Sequence, residues 1–124
     1  MNDIFLISLG AILGANMRYL VSRASLKYLS PSIPYGTLIV NITGSFIVGF
    51  FLAWTVERVF IDPRWKPFIV VGFCGAYTTY SSYSYETITL LEQSDYGLAA
   101  LNFLCNNFFS LLATVAGIAL ARAI

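Results

Sequence analysis

Residues 72–87 read Gly72-Phe73-Cys74-Gly75-Ala76-Tyr77-Thr78-Thr79-Tyr80-Ser81-Ser82-Tyr83-Ser84-Tyr85-Glu86-Thr87. Hydroxyls, rings and glycines crowd a segment flanked on both sides by residues apolar enough for a bilayer. Inside hydrocarbon an unsatisfied backbone polar group costs several kcal/mol, so irregular or polar chain survives there only when buried in protein or lining a watery path. The segment therefore predicts a conduit for a small solute, built where a membrane helix is interrupted.

The rest of the chain agrees with that setting. Of 124 residues, 58% are hydrophobic and 10% charged, and the mean hydropathy is +0.76. A soluble domain of this size carries about 25% charged residues. The net charge of +1 and the absence of a basic cluster exclude a nucleic-acid partner. The chain has no histidine, and Cys74 and Cys105 sit in apolar stretches as two expected free thiols. No Cys and carboxylate grouping has the spacing of a metal site. No low-complexity segment or flexible linker divides the chain, so residues 1–124 are expected to form one domain. Asp3 stands where a signal peptide would carry positive charge, and the first apolar stretch is expected to remain as a permanent span.

Four segments are long enough to cross about 30 Å of hydrocarbon. They run from Ile4 to Tyr28, from Tyr35 to Val56, from Phe68 to Leu91 with the polar run inside it, and from Tyr96 to Ala121. The Pro31-Ser32-Ile33-Pro34 turn separates the first two. The loop of Asp62, Pro63, Arg64, Trp65 and Lys66 suits the headgroup region, where Trp collects. Small residues recur at helix-packing spacing (Gly10 and Gly14, Gly44 and Gly49, Ala113 with Ala116 and Gly117), which lets membrane helices approach closely. Arg58, Arg64, Lys66 and Arg122 face one side of the membrane. Arg23 and Lys27, with Arg18 if it is counted, face the other, so the positive-inside bias is weak. A weak bias permits insertion both ways, and four helices have little room to enclose a pore. Both points lead to an antiparallel, dual-topology dimer.

Small residues followed by hydroxyls predict a break in the third helix over Gly75–Thr79, near the bilayer midplane. Discontinuous helices of this kind free carbonyls for cations and amides for anions. The competing expectation is a continuous helix whose hydroxyls bond back to carbonyls one turn earlier. If the helix resumes near Thr79, then Tyr80, Tyr83, Ser84 and Thr87 share one face and Thr79, Ser82 and Glu86 a neighbouring one. Ring edges carry positive quadrupole density and hydroxyls donate hydrogen bonds, so this lane suits a small hard anion. A packed aromatic stripe explains the rings but not the six interleaved hydroxyls. Asn41 in the second span is either interhelical glue or pore lining. Asn106 and Ser110, four residues apart in the fourth, can face the same lane. Arg18 is either a snorkelling helix-end residue or a charge that draws anions to a mouth.

Three motifs, in order and at matching spacing, carry a resemblance that covers nearly the whole chain. They are Gly14-Ala15-Asn16-Met17-Arg18-Tyr19, then Tyr35-Gly36-Thr37-Leu38-Ile39-Val40-Asn41, then the run from Gly72 to Thr87. Together they resemble the Fluc (CrcB) family of fluoride channels. The resemblance implies an all-α antiparallel homodimer with two fluoride pores in the cell's inner or plasma membrane. It implies a structural sodium ion at the dimer centre, held by carbonyls that match Gly75 and Thr78. It places Asn41, Tyr80, Tyr83 and Ser110 along the pore, Glu86 near it, and Arg18 at the family's first-helix arginine. Tyr80 and Tyr83 replace the usual phenylalanines, and Gly75-Ala76-Tyr77 replaces the usual Gly-Gly-Leu. Some relatives pair unlike subunits, one with a degenerate pore, so a non-conducting partner subunit is an alternative.

From another class comes the small multidrug transporter, also four helices and often antiparallel. Proton-coupled export of that kind needs a carboxylate embedded in the first span, where only Asp3, at its very end, is available. An enzyme is not expected, since neither a histidine base nor a Ser–Lys pair for nucleophilic work is present.

Overall fold

In a computed structural model, residues 2–58 and 60–124 are described, and among them every regular element is helical. Helix α1 spans Asp3–Tyr28 and α2 spans Tyr35–Glu57. Helix α3 is in two parts, a π-wound segment Pro67–Cys74 and a single α turn Gly75–Tyr77. Helix α4 spans Tyr80–Glu92 and α5 spans Tyr96–Ala123. Three of these, α1, α2 and α5, are long and apolar enough to cross a membrane.

Local chemistry explains the ends. Asp3 sits in the first turn of α1 and Lys27 in its last, the charge order that the helix dipole favours. Pro34 precedes α2 directly, and a proline fixes the entering chain. Thr79 caps α4 by accepting the Ser82 N–H at 3.1 Å, and Asp95 caps α5 by accepting that of Leu98 at 3.4 Å. Both caps satisfy backbone donors that a helix start leaves open. Between α4 and α5, Ser94 takes a positive φ of 61° to make the tight reversal.

Helices α1 and α3 pack on one another, as do α2 and α5, while α4 packs on α5 and touches α2. Glycine sets both main contacts. A Cβ at Gly10 or Gly14 would fall on the Phe68 or Phe73 carbonyl, and one at Gly49 or Gly117 on that of Thr114 or Phe46. Backbones meet backbones there, the approach by which membrane helices gain dispersion energy without a hydrophobic drive. The outer surface stays apolar, with Ile4, Leu13, Leu20, Phe103, Phe108 and Leu111 all more than half exposed.

The third predicted span is thus divided, and the break is narrower than Gly75–Thr79. Gly75 has helical torsions (φ −59°, ψ −36°) and Gly75–Tyr77 form a turn. Only Thr78 (φ −80°, ψ 163°) and Thr79 (φ −152°, ψ 117°) are extended. Tyr77 holds the last turn in place. Its ring stacks on Phe73 at 5.4 Å, and its hydroxyl meets that of Thr43 on α2 at 2.9 Å.

Candidate functional site: a polar cleft at the helix break

The Thr79 end of the two-residue break is held from across the molecule by one side chain. Asn41 on α2 accepts the Thr79 N–H on Oδ1 at 2.8 Å and returns Nδ2 to the Thr79 carbonyl at 3.1 Å. A side-chain amide thus pairs with a main chain as a neighbouring strand would. The Thr79 N–H is the donor that a continuous helix would give to the Gly75 carbonyl. Its diversion to Asn41 keeps the helix open.

The same amide reaches α5. Asn41 Nδ2 also donates to Asn106 Oδ1 at 3.0 Å, and Asn106 Nδ2 donates to the carbonyl and Oδ1 of Asn102, each at 3.0 Å. Asn102 Nδ2 donates to the Thr87 hydroxyl at 3.0 Å, and Thr87 to the Tyr83 carbonyl at 2.8 Å. Asn102 and Asn106 are buried, and the chain of amides satisfies them in sequence, as buried polar groups require. It ties α2, the break, α4 and α5 together.

Beside this network lies a cleft of about 380 Å³. Asn41, Thr78, Thr79, Tyr80, Tyr83, Asn106 and Ser110 line it, together with Asn107 and Thr114. Tyr83 is buried and Tyr80 is 77% exposed, and their rings meet edge to face at 5.3 Å. The Ser110 Oγ is buried with no hydrogen-bond partner among the described residues. The lining has amides, hydroxyls and ring edges but no charged side chain.

A second cleft of about 490 Å³ opens beyond the α1–α2 turn, lined by Ser22, Ser25, Tyr35, Thr37, Tyr85 and Glu86 among others. Glu86 therefore lies away from the break. Thr37 donates to its Oε1 at 2.6 Å, and its Oε2 is buried without a partner among the described residues. Ser84, predicted to share the face of Tyr80 and Tyr83, is half-buried and lines neither cleft. Helix α4 starts at Tyr80 with Thr79 outside as its cap, and the face toward α5 runs through Tyr83 and Thr87. Arg18 reaches the break, its Nη1 donating to the Thr78 carbonyl at 3.4 Å. Gly75 is exposed at the surface.

Sequence reasoning missed Asn102, Asn107 and Thr37. Asn102 was within reach, because Asn102, Asn106 and Ser110 repeat every four residues on one face of α5. Asn107 lies off that stripe, and nothing local marks Thr37 as the partner of a residue 49 positions away.

The sequence itself has a match among known families. Residues 5–118 fit the family model described as CrcB-like protein, Camphor Resistance (CrcB). The chain belongs to the CrcB-like family. A relative from Koribacter versatilis, named fluoride-specific ion channel FluC, is 52% identical over 95% of this chain and 94% of its own. One of the same name from Sulfurihydrogenibium sp. is 46% identical over 98% of both chains. A third, from Rhizobium meliloti, is 41% identical over 99% of this chain and 98% of its own. Membership and the apolar helices together make this CrcB-like chain a multi-pass membrane protein.

Proposed function

We infer that this chain is a fluoride-selective channel that lets cytoplasmic fluoride leave the cell passively. The relatives' shared name supports the choice of ion. The observation in this molecule that carries the reading is the cleft at the break. It collects amide and hydroxyl groups, includes a buried hydroxyl, Ser110, with no partner among the described residues, and has no carboxylate in its lining. Such a lining can replace the water around a small anion. Asn41, Thr79, Tyr80, Tyr83, Asn106 and Ser110 are its residues on this reading, with Ser84 outside it and Glu86 beyond it in the second cleft. The ring edges of Tyr80 and Tyr83 add positive quadrupole density. Conduction needs binding strong enough for entry and weak enough for exit, which neutral donors supply and a fixed positive charge would not. The energetics require no coupling. Hydrogen fluoride enters from acidic surroundings, dissociates at neutral pH, and a membrane potential drives the anion out at about 2.3 kcal/mol per charge per 100 mV.

On this reading α3 and α4 together make a fourth crossing, and the subunit pairs with an inverted copy in the cell's inner or plasma membrane, giving two pores. The weak charge bias and the exposed apolar surface support that arrangement. The resemblance also calls for a sodium ion between subunits, and the residues present fit one. Gly75 opens the turn before the break and its carbonyl has lost its helical donor, while Thr78 is in the break itself and extended. These are neutral oxygens, the hard ligands a monovalent cation takes. When bound, the ion would hold the two breaks together. Arg18, through the Thr78 carbonyl, would steady the same segment.

The proton-coupled multidrug alternative finds no support, since the one carboxylate of α1, Asp3, is its first residue. The deciding experiment is fluoride efflux from liposomes that hold only this chain, with chloride as the control. Fluoride flux without chloride flux is expected. No fluoride flux refutes the channel reading for this chain alone and favours a subunit that conducts only beside an unlike partner; equal flux of both ions refutes fluoride selectivity. Labelling of a terminal cysteine on both membrane faces is expected for the inverted pair, and labelling on one face refutes it.

A further inference from the structure

The acceptor side of one hydroxyl in the cleft is filled by a residue outside the amide chain. Asn107 Nδ2 donates to the Phe103 carbonyl at 2.8 Å and to the Tyr83 phenol oxygen at 3.0 Å. A backbone carbonyl only accepts, so the nitrogen of the amide must face it. Both N–H groups are then used, and the second makes the Tyr83 oxygen an acceptor. The phenol's own proton is left free to point elsewhere. Tyr83 is buried, and the space around it is the cleft it shares with Ser110, whose hydroxyl is itself buried and unpartnered among the described residues. Two hydroxyl protons without an acceptor in one cleft call for an acceptor that arrives from outside.

We propose that Asn107 is a positioning residue that fills the acceptor side of the Tyr83 hydroxyl and so aims its O–H at a small anion in the cleft shared with Ser110. The proposal rests on the channel reading and adds to it a donor that a phenylalanine at this position lacks. Without Asn107 the phenol can turn its proton to another protein oxygen, and the anion loses one hydrogen bond. Asn107 never touches the anion.

The test is a double-mutant cycle on fluoride efflux from liposomes, with chloride as control, read as the fluoride concentration for half-maximal flux. Wild type, Asn107→Leu, Tyr83→Phe and the double variant are compared, each with its melting temperature. Loss of a hydrogen bond to an anion is expected to raise that concentration roughly tenfold or more in Tyr83→Phe. Asn107→Leu is expected to raise it in the same direction, and to change nothing further once Tyr83→Phe is present. An equal effect of Asn107→Leu in both backgrounds overturns the proposal and makes Asn107 a packing residue. An unchanged concentration in Tyr83→Phe overturns it as well. If Asn107→Leu does not fold, Asn107→Asp replaces it, because a carboxylate takes the Tyr83 proton away from the cleft and the same outcomes decide. A wild-type chain without selective fluoride flux refutes the channel reading instead, whatever the variants do.

Discussion

Asn41→Ala should release the helix break, and the size of the effect can be worked from three hydrogen bonds. The substitution leaves the Thr79 N–H, the Thr79 carbonyl and Asn106 Oδ1 without the partners they have at 2.8, 3.1 and 3.0 Å. Side-chain hydrogen bonds measured inside a membrane protein average about 0.6 kcal/mol, so three of them give about 2 kcal/mol. Buried groups left wholly unsatisfied cost about 1–3 kcal/mol each, which sets a ceiling of about 9 kcal/mol. The lower figure should govern, because the open cleft of about 380 Å³ beside Thr79 admits water to the freed groups. About 2 kcal/mol is roughly a 30-fold change in an equilibrium constant. Hydrogen exchange at the Thr79 amide should therefore run roughly 30-fold faster in Asn41→Ala than in wild type. Asn41→Asp keeps the acceptor for that amide and should retain more of its protection. Exchange in Asn41→Ala within threefold of wild type would refute the reasoning, since another group would then be holding the break.

Three further outcomes are expected. Gly10→Ala places a methyl against the Phe68 carbonyl and the Phe73 nitrogen. It should lower the melting temperature sharply, whereas Gly97→Ala, with nothing within 4 Å, should leave it equal or raise it; the reverse order would remove glycine packing as the basis of the α1–α3 contact. Tyr80→Phe should keep fluoride selectivity with flux equal or faster, while Tyr80→Ile and Tyr83→Ile should cut flux sharply; unchanged flux in both Ile variants would make the rings packing residues. In the interfacial loop, hydrogen bonds from Arg64 hold the Asp62 carboxyl down at about 2, from an ordinary 3.8. A carboxyl depressed in the folded state supports the loop above its ordinary range and ceases to as pH falls through about 2. Carboxyl NMR should place that titration near pH 2, and Arg64→Gln should return it to the ordinary range.

The parts of the fold that depend on neighbours in sequence were legible, and those fixed by distant partners were not. The ends of α1, α2 and α5 follow from Pro34, Asp95 and the charges around them, and fall within a few residues of the expected spans. The break was visible as small residues followed by hydroxyls, but its extent was not. Asn41, 38 residues upstream, selects Thr79, and the Tyr77 contacts with Phe73 and Thr43 keep Gly75–Tyr77 helical. Pro67 marks where α3 begins, while nothing in its composition signals π winding. Asn41, Tyr83, Asn106 and Ser110, which line the cleft, stand out in the sequence because amides and hydroxyls are rare in apolar spans. Helical spacing groups Ser84 with Tyr80 and Tyr83 but cannot say which face of α4 turns toward α5, and Ser84 lines neither cleft. The resemblance puts Glu86 near the pore; that it lines the second cleft could not be read locally, because its Thr37 partner lies on another helix.

The divided third segment also has an order in synthesis. Its first half, α3, packs on α1, and its second half, α4, packs on α5. A ribosome makes α1 before α3, so the first half emerges to a finished partner. It makes α4 before α5, so the second half emerges with its polar face uncovered, and Asn102 and Asn106, which complete the amide chain, arrive later still. The chain changes packing partner at Thr78 and Thr79. Until α5 is in place, Tyr83 and Thr87 lack the Asn107 and Asn102 amides that pair with them in the folded molecule.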